Sequence, residues 1–185
     1  MNGEDDIAPG SAAGHAPRRT LNYKRLGREF AMQFLFQCDL TGGERTEEMD
    51  ACFWKQAEES GEFPVNRVFR KARTYAEKLI EGVLAYEPEI SELIVKFSRK
   101  WDSERMSAVD RNIMKVAIYE LVYCPDIPVL VSINEAIEIA KEFSSEKSGT
   151  CRTFRSNRHM RISSLRGLLP ELGELPRLIF GYGGA

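Results

Sequence analysis

The chain has 185 residues, 43% of them hydrophobic and 29% charged, with a formal net charge of −2. That length suits one globular domain with loose ends and is short for two ordinary ones, and no apolar run approaches the roughly 20 residues that a membrane-spanning helix needs. With 28 acidic against 26 basic side chains the protein lacks the broad positive field of one that coats nucleic acid indiscriminately, so any RNA contact has to be local.

Residues 1–17 are rich in Gly, Ala, Asp and Pro and have no basic start followed by an apolar segment. They read as a disordered leader and not as a secretory signal. From Tyr23 to Thr41, Leu26, Phe30, Ala31, Phe34, Leu35 and Cys38 recur at three- and four-residue steps, the pattern of one buried helical face. Gly42-Gly43 should end that helix. Met49, Cys52 and Phe53 suggest a short helix, and Gly61 with Pro64 a turn. Phe69, Ala72, Ala76, Leu79, Ile80 and Val83 mark a long helix, after which Pro88 suits the first turn of another carrying Ile90, Leu93, Ile94 and Phe97.

Ser107 followed by Asp110 resembles a capping pair at the start of a helix running to about Cys124. Between Ile113 and Tyr123 that helix is apolar on nearly every side, with Lys115 and Glu120 as charged exceptions, so it should be the central buried element. Pro125 and Pro128 end it. Ser132 and Glu135, flanked by Val131 and Ala136, have the spacing of a capping box with a hydrophobic staple. In the helix they would open, Ala136, Ile137, Ala140 and Phe143 face inward, and the helix ends near Gly149. Strand patterns are lacking, and short connections between amphipathic helices favour an all-α bundle.

The four cysteines, Cys38, Cys52, Cys124 and Cys151, have no close pair of the kind a zinc site or redox motif uses. They read as free thiols of a reduced, cytoplasmic protein, and three of them, in or beside apolar helical patterns, as small hydrophobes. Of the two histidines, His15 and His159, neither has a partner for metal binding or nucleophilic chemistry. Nucleotide-binding loops, nucleophile elbows and carboxylate clusters are missing too. The expectation is a protein without catalysis, cofactor or metal.

Arg18, Arg19, Lys24, Arg25 and Arg28 bring five cations into eleven positions, and the last three share one face of the first helix by their spacing. Such a pad can hold phosphates of single-stranded RNA, or it can merely solvate an exposed face. A pad buried in the fold or neutralised by acids would favour a protein–protein adaptor. Asp110, Arg111 and Glu135 read as a helix cap with a nearby ion pair, with Arg111 expected to meet a carboxylate of a neighbouring helix. Trp101, Tyr119 and Tyr123 have faces that could stack on bases, but their setting in apolar helices favours core packing.

The stretch from Trp101 to Leu121 (WDSERMSAVDRNIMKVAIYEL), then Ile127-Pro128 and Ser132 to Lys141 (SINEAIEIAK), resembles the NusB family of transcription antitermination factors. Lys24, Arg25, Arg28-Glu29, Ala31, Gln33 and Gln37 of the opening helix fit as well, and the likeness runs from about Arg18 to Gly149. The resemblance implies an all-α fold of two packed helical bundles in one compact domain, 18–149. It also implies binding of the boxA element of ribosomal RNA leaders together with NusE, a small-subunit ribosomal protein, within the antitermination complex of RNA polymerase. The RNA-binding residues would then be Arg18, Arg19, Lys24, Arg25, Arg28 and Gln33, on a protein that is a monomer or homodimer when free. A third reading, a fragment of an RNA methyltransferase that carries a NusB-like domain, is weakened because no cofactor-binding domain follows.

After Gly149 the likeness stops. Where the family has a last helix with a Phe-Val-Asn-Gly-like segment, residues 150–185 instead hold Arg152, Arg155, Arg158, Arg161 and Arg166, then Leu168-Leu169-Pro170 and a Gly-rich end. A basic disordered arm, a divergent helix spaced by Leu165, Leu168, Leu169 and Leu172, and a frame change near Ser148 all account for this tail. The frame change predicts that another reading frame of the gene still encodes the missing segment.

Overall fold

A computed structural model describes residues 22–42, 45–97 and 106–145. The leader 1–17, Arg18, Arg19, Trp101 and the tail 150–185 lie outside the described residues. Those described form six helices and no strand: α1 Tyr23–Thr41, α2 Glu47–Glu59, α3 Arg67–Ala85, α4 Glu87–Phe97, α5 Ala108–Tyr123 and α6 Val129–Ser145. The all-α expectation holds.

Local chemistry sets most of the helix ends. Asn22, Thr46, Asn66 and Ser107 have non-helical backbone, and their side chains accept from early N–H groups of α1, α2, α3 and α5, for example Met49 N to Thr46 Oγ1 at 3.1 Å and Val68 N to Asn66 Oδ1 at 2.8 Å. Gly42 closes α1 at φ 102°, a conformation that only glycine adopts without strain, and its N–H donates to the Cys38 carbonyl. The first turn of α2 carries Glu47, Glu48 and Asp50, which suit the positive helix end.

Packing divides the helices into two groups. In the first, α1 lies along α3, and α2 is pinned to them by aromatic rings. Phe30 is the hub: Phe53, Trp54, Phe63 and Phe69 all meet it edge-on, with centroids 5.4–6.4 Å away. Within α2, Phe53 and Trp54 face the core, while Cys52 is exposed, contrary to the expected face. In the second group α5 is central and touches α1, α3, α4 and α6. As expected of a helix apolar all round, Asn112 to Glu120 are buried without interruption.

Two local readings are corrected. Helix α6 starts at Val129, directly after Pro128, so Ser132 lies inside the helix and not at its cap. The physical reason is a stronger partner: Ser132 is 1% exposed and its hydroxyl donates to Glu120 Oε2 at 2.7 Å. Pro128 opens the helix instead, its carbonyl accepting from Val131 N at 2.8 Å. Arg111, expected to pair with a carboxylate of a neighbouring helix, is half-buried and forms no such ion pair among the described residues. The charge that does so is Lys115, one turn further on, which reaches Glu87 of α4 at 2.9 Å and Asp39 of α1 at 3.5 Å.

Candidate nucleic-acid interface

The first turns of α1 carry the cations that the sequence singled out, and the structure treats each differently. Arg28 is 3% exposed. Its Nε donates to both oxygens of Glu120 at 2.9 and 3.0 Å, and its guanidinium lies 5.8 Å from the centre of the Tyr75 ring. Glu120 also accepts from the Tyr75 hydroxyl and from Ser132, so four helices meet on one buried carboxylate. Burial, together with the Glu120 carboxylate, pushes the Tyr75 hydroxyl well above its ordinary value and keeps it a donor.

Arg25 is mostly covered and held by three acids, donating to Glu29 at 2.9 Å, Glu142 at 3.0 Å and Glu135 at 3.4 Å. Burial works to lower its pKa, but the hydrogen bonds to Glu29 and Glu142 outweigh this, and the net shift is upward. Lys24 is half-buried, with Nζ 5.9 Å from the centre of the Tyr75 ring. Gln33 is half-buried further along α1. Arg18 and Arg19 lie outside the described residues. The expected pad of three exposed cations on one face is therefore corrected: α1 spacing put Arg28 on the inner side, where Glu120 neutralises it, and Glu29, Glu135 and Glu142 neutralise Arg25.

A different cluster forms beside Lys24. Tyr23 of α1 and Tyr75 of α3 meet edge-on with centroids 6.4 Å apart, and Lys71 of α3 places Nζ 5.6 Å from the Tyr23 ring. Two ammonium groups and two phenol rings thus alternate across the seam between α1 and α3, a combination that suits phosphates and unpaired bases. Tyr23, Lys71 and Tyr75 were absent from the sequence-based site. Their signal was available: a cation four residues before Tyr75 in α3, and a tyrosine at the first position of α1.

Between α1, α5 and α6 a small cleft is lined by Arg28, Glu120 and Ser132 among apolar side chains such as Met32, Ile113 and Ile139. Cys38 and Cys124 are buried, which raises both thiols above their ordinary value and leaves them protonated. Among the described residues no group of His, Cys, Asp or Glu could hold a metal ion, and no helix is long and apolar enough to cross a membrane.

The family profile described as "NusB family" matches residues 25–150. The transcription antitermination protein NusB of Myxococcus xanthus is 42% identical over 125 residues, covering 68% of this chain and 85% of that protein. The protein of the same name from Desulfitobacterium hafniense is 41% identical over 130 residues, covering 68% of this chain and 80% of its own. Among solved structures, T. maritima NusB superposes with a TM-score of 0.53 at 32% identity, over 76% of this chain and 89% of that one. The solution structure of NusB from Aquifex aeolicus, at 20% identity and a TM-score of 0.57, shares the fold. With relatives this similar over two thirds of its length, and a helical core laid out as theirs is, the chain belongs to the NusB family.

Proposed function

We propose that this chain acts in transcription antitermination by binding the boxA element of ribosomal RNA leaders together with NusE, in the antitermination complex of RNA polymerase in the cytoplasm. Membership of the NusB family carries the reading. That family consists of non-catalytic factors, so the chain is not an enzyme. The seam of Lys24, Tyr23, Tyr75 and Lys71 supports local capture of a strand by a protein whose net charge is −2. Arg18, Arg19, Lys24 and Gln33 remain the proposed contacts on the α1 side, whereas Arg25 is already held by Glu29, Glu135 and Glu142. Arg28 acts through Glu120 and Tyr75, as a residue that positions this surface.

Binding of a labelled boxA-like RNA, with and without NusE, to wild type and Lys24→Gln tests this. Wild type should capture the RNA in a salt-dependent manner, more tightly with NusE, and loss of one phosphate contact should lower the slope of log K against log salt by about 0.7. Absence of capture under any salt condition, with NusE present, would refute the RNA reading.

The neutralisation of Arg25 and Arg28 by four carboxylates favours a second reading, an adaptor that holds protein partners without RNA. It predicts a NusE complex whose stability is indifferent to added RNA.

A further inference from the structure

Helix α3 carries a second face that the apolar pattern of the sequence hides. Arg67, Arg70, Lys71, Thr74 and Lys78 follow one another at helical spacing, and all five are exposed. None of the four cations forms an ion pair among the described residues. Elsewhere Arg25, Arg28, Arg45, Lys55, Arg73, Lys115 and Lys141 each pair with a carboxylate.

The stripe is unfavourable for the helix that bears it. Arg67 stands three residues from Arg70 and four from Lys71, so like charges are neighbours on the surface. Arg67, Arg70 and Lys71 also crowd the N-terminal end of α3, whose first turn has no acid and whose N–H groups already present positive charge. A face kept against both penalties calls for a bound anion that relieves them.

The middle of the stripe says which polyanion. Lys71 reaches over the Tyr23 ring, and Tyr75, one turn on, lies under Lys24. The cation track of about 16 Å from Arg67 to Lys78, at 1.5 Å per residue, therefore runs past two phenol rings at the α1 seam. Phosphates at regular intervals with bases free to stack match this better than the carboxylates of an acidic peptide, which has no use for the rings.

We infer that the exposed α3 stripe Arg67, Arg70, Lys71 and Lys78 is a phosphate-binding track that continues a single-stranded RNA from the α1 seam along α3. This deepens the RNA reading above and rests on it. The full chain with Arg67, Arg70 and Lys78 changed to Gln, and Lys71 kept because it also belongs to the α1 seam, tests it, using a fluorescein-labelled oligo-uridine of twelve nucleotides as probe and the thermal midpoint as a check on folding. Because the substitutions remove repulsion, the variant should melt no lower than wild type. Its affinity should fall about tenfold or more at low salt, and the slope of log K against log salt should drop by about 2, at about 0.7 per lost contact. If wild type binds the probe and the variant binds it equally with the same slope, the track is refuted and the α1 site stands. If wild type fails to bind oligo-uridine and boxA-like RNA alike, both readings fall together. If wild type prefers a polyglutamate peptide to the RNA, the stripe belongs to an acidic protein partner and the inference is overturned.

Discussion

The aromatic core of α1, α2 and α3 and the junction around Glu120 hold the same fold by opposite means. Around Phe30 the contacts are rings meeting edge-on, without a hydrogen-bond partner to lose, so stability there depends on volume and shape. Around Glu120 a buried carboxylate is satisfied by Arg28, Tyr75 and Ser132, and stability depends on every partner being present. The first region should forgive conservative changes and the second should not. The difference also bears on the proposed RNA surface, because Tyr75 belongs both to the junction and to the α1–α3 seam.

The largest expected effect comes from breaking the junction on one side. Glu120→Ala leaves the buried Arg28 guanidinium with only the partly exposed Glu135, 3.9 Å away, as counter-charge, a change that costs about 3–5 kcal/mol, and a denaturant titration should show the midpoint collapse. Replacing both partners, as Arg28→Met with Glu120→Leu, should recover most of that loss because no charge is then stranded. A double variant as unstable as Glu120→Ala alone would mean that the Tyr75 and Ser132 bonds, and not the ion pair, hold the region.

In the aromatic core Phe30→Leu keeps an apolar side chain of similar bulk and should cost only about 1–2 kcal/mol, the loss of ring-edge contacts. Phe30→Ala should cost about 3–5 kcal/mol because a cavity remains. Urea midpoints for the pair measure how far volume alone accounts for this half. Equal losses for the two would show that ring geometry, not filling, is what Phe30 contributes.

The contrast also governs how much could be read from the sequence. Periodic apolar residues placed α1, α3, α5 and most of α6, since a helix that buries one face has to repeat its hydrophobic side chains every three or four positions. The same periodicity is blind to where a polar side chain finds its partner. Ser132 and Glu135 have cap spacing, yet Ser132 is taken up by Glu120 from another helix, twelve residues away in sequence. Arg28 has the spacing of a surface cation, but it sits two residues before Phe30 on the side that turns toward α5, and only the tertiary pairing with Glu120, 92 residues later, makes its burial possible. Lys71 and Tyr75 escaped notice because α3 drew attention by its apolar face, although their four-residue step was in plain view. Membership of the family was legible because it rests on contiguous residues of α5 and α6, whereas the proposed RNA surface is assembled from α1 and α3.

The smallest effect separates the two regions by pH. In and beside the second group, burial is the first cause that raises the protonation of Tyr75, Tyr119, Tyr123 and Cys124, while the aromatic core contributes only Cys38. A group whose folded-state pKa lies above its unfolded value stabilises the fold fully below the unfolded pKa and loses that contribution as pH rises through the folded one. For these thiols and phenols the unfolded values are about 9 and 10, so stability should be level at neutral pH and begin to decline above about pH 9, at no more than about 1.4 kcal/mol per pH unit for each group releasing its proton. Tyr75→Phe removes the hydroxyl and with it one proton of this linkage. It should lower stability by about 1 kcal/mol at pH 7, through the lost bond to Glu120, and give a shallower decline between pH 10 and 11 in thermal melts. An unchanged alkaline slope would assign that decline to Tyr119, Tyr123 and Cys124, and would leave Tyr75 as a participant in the junction at neutral pH only.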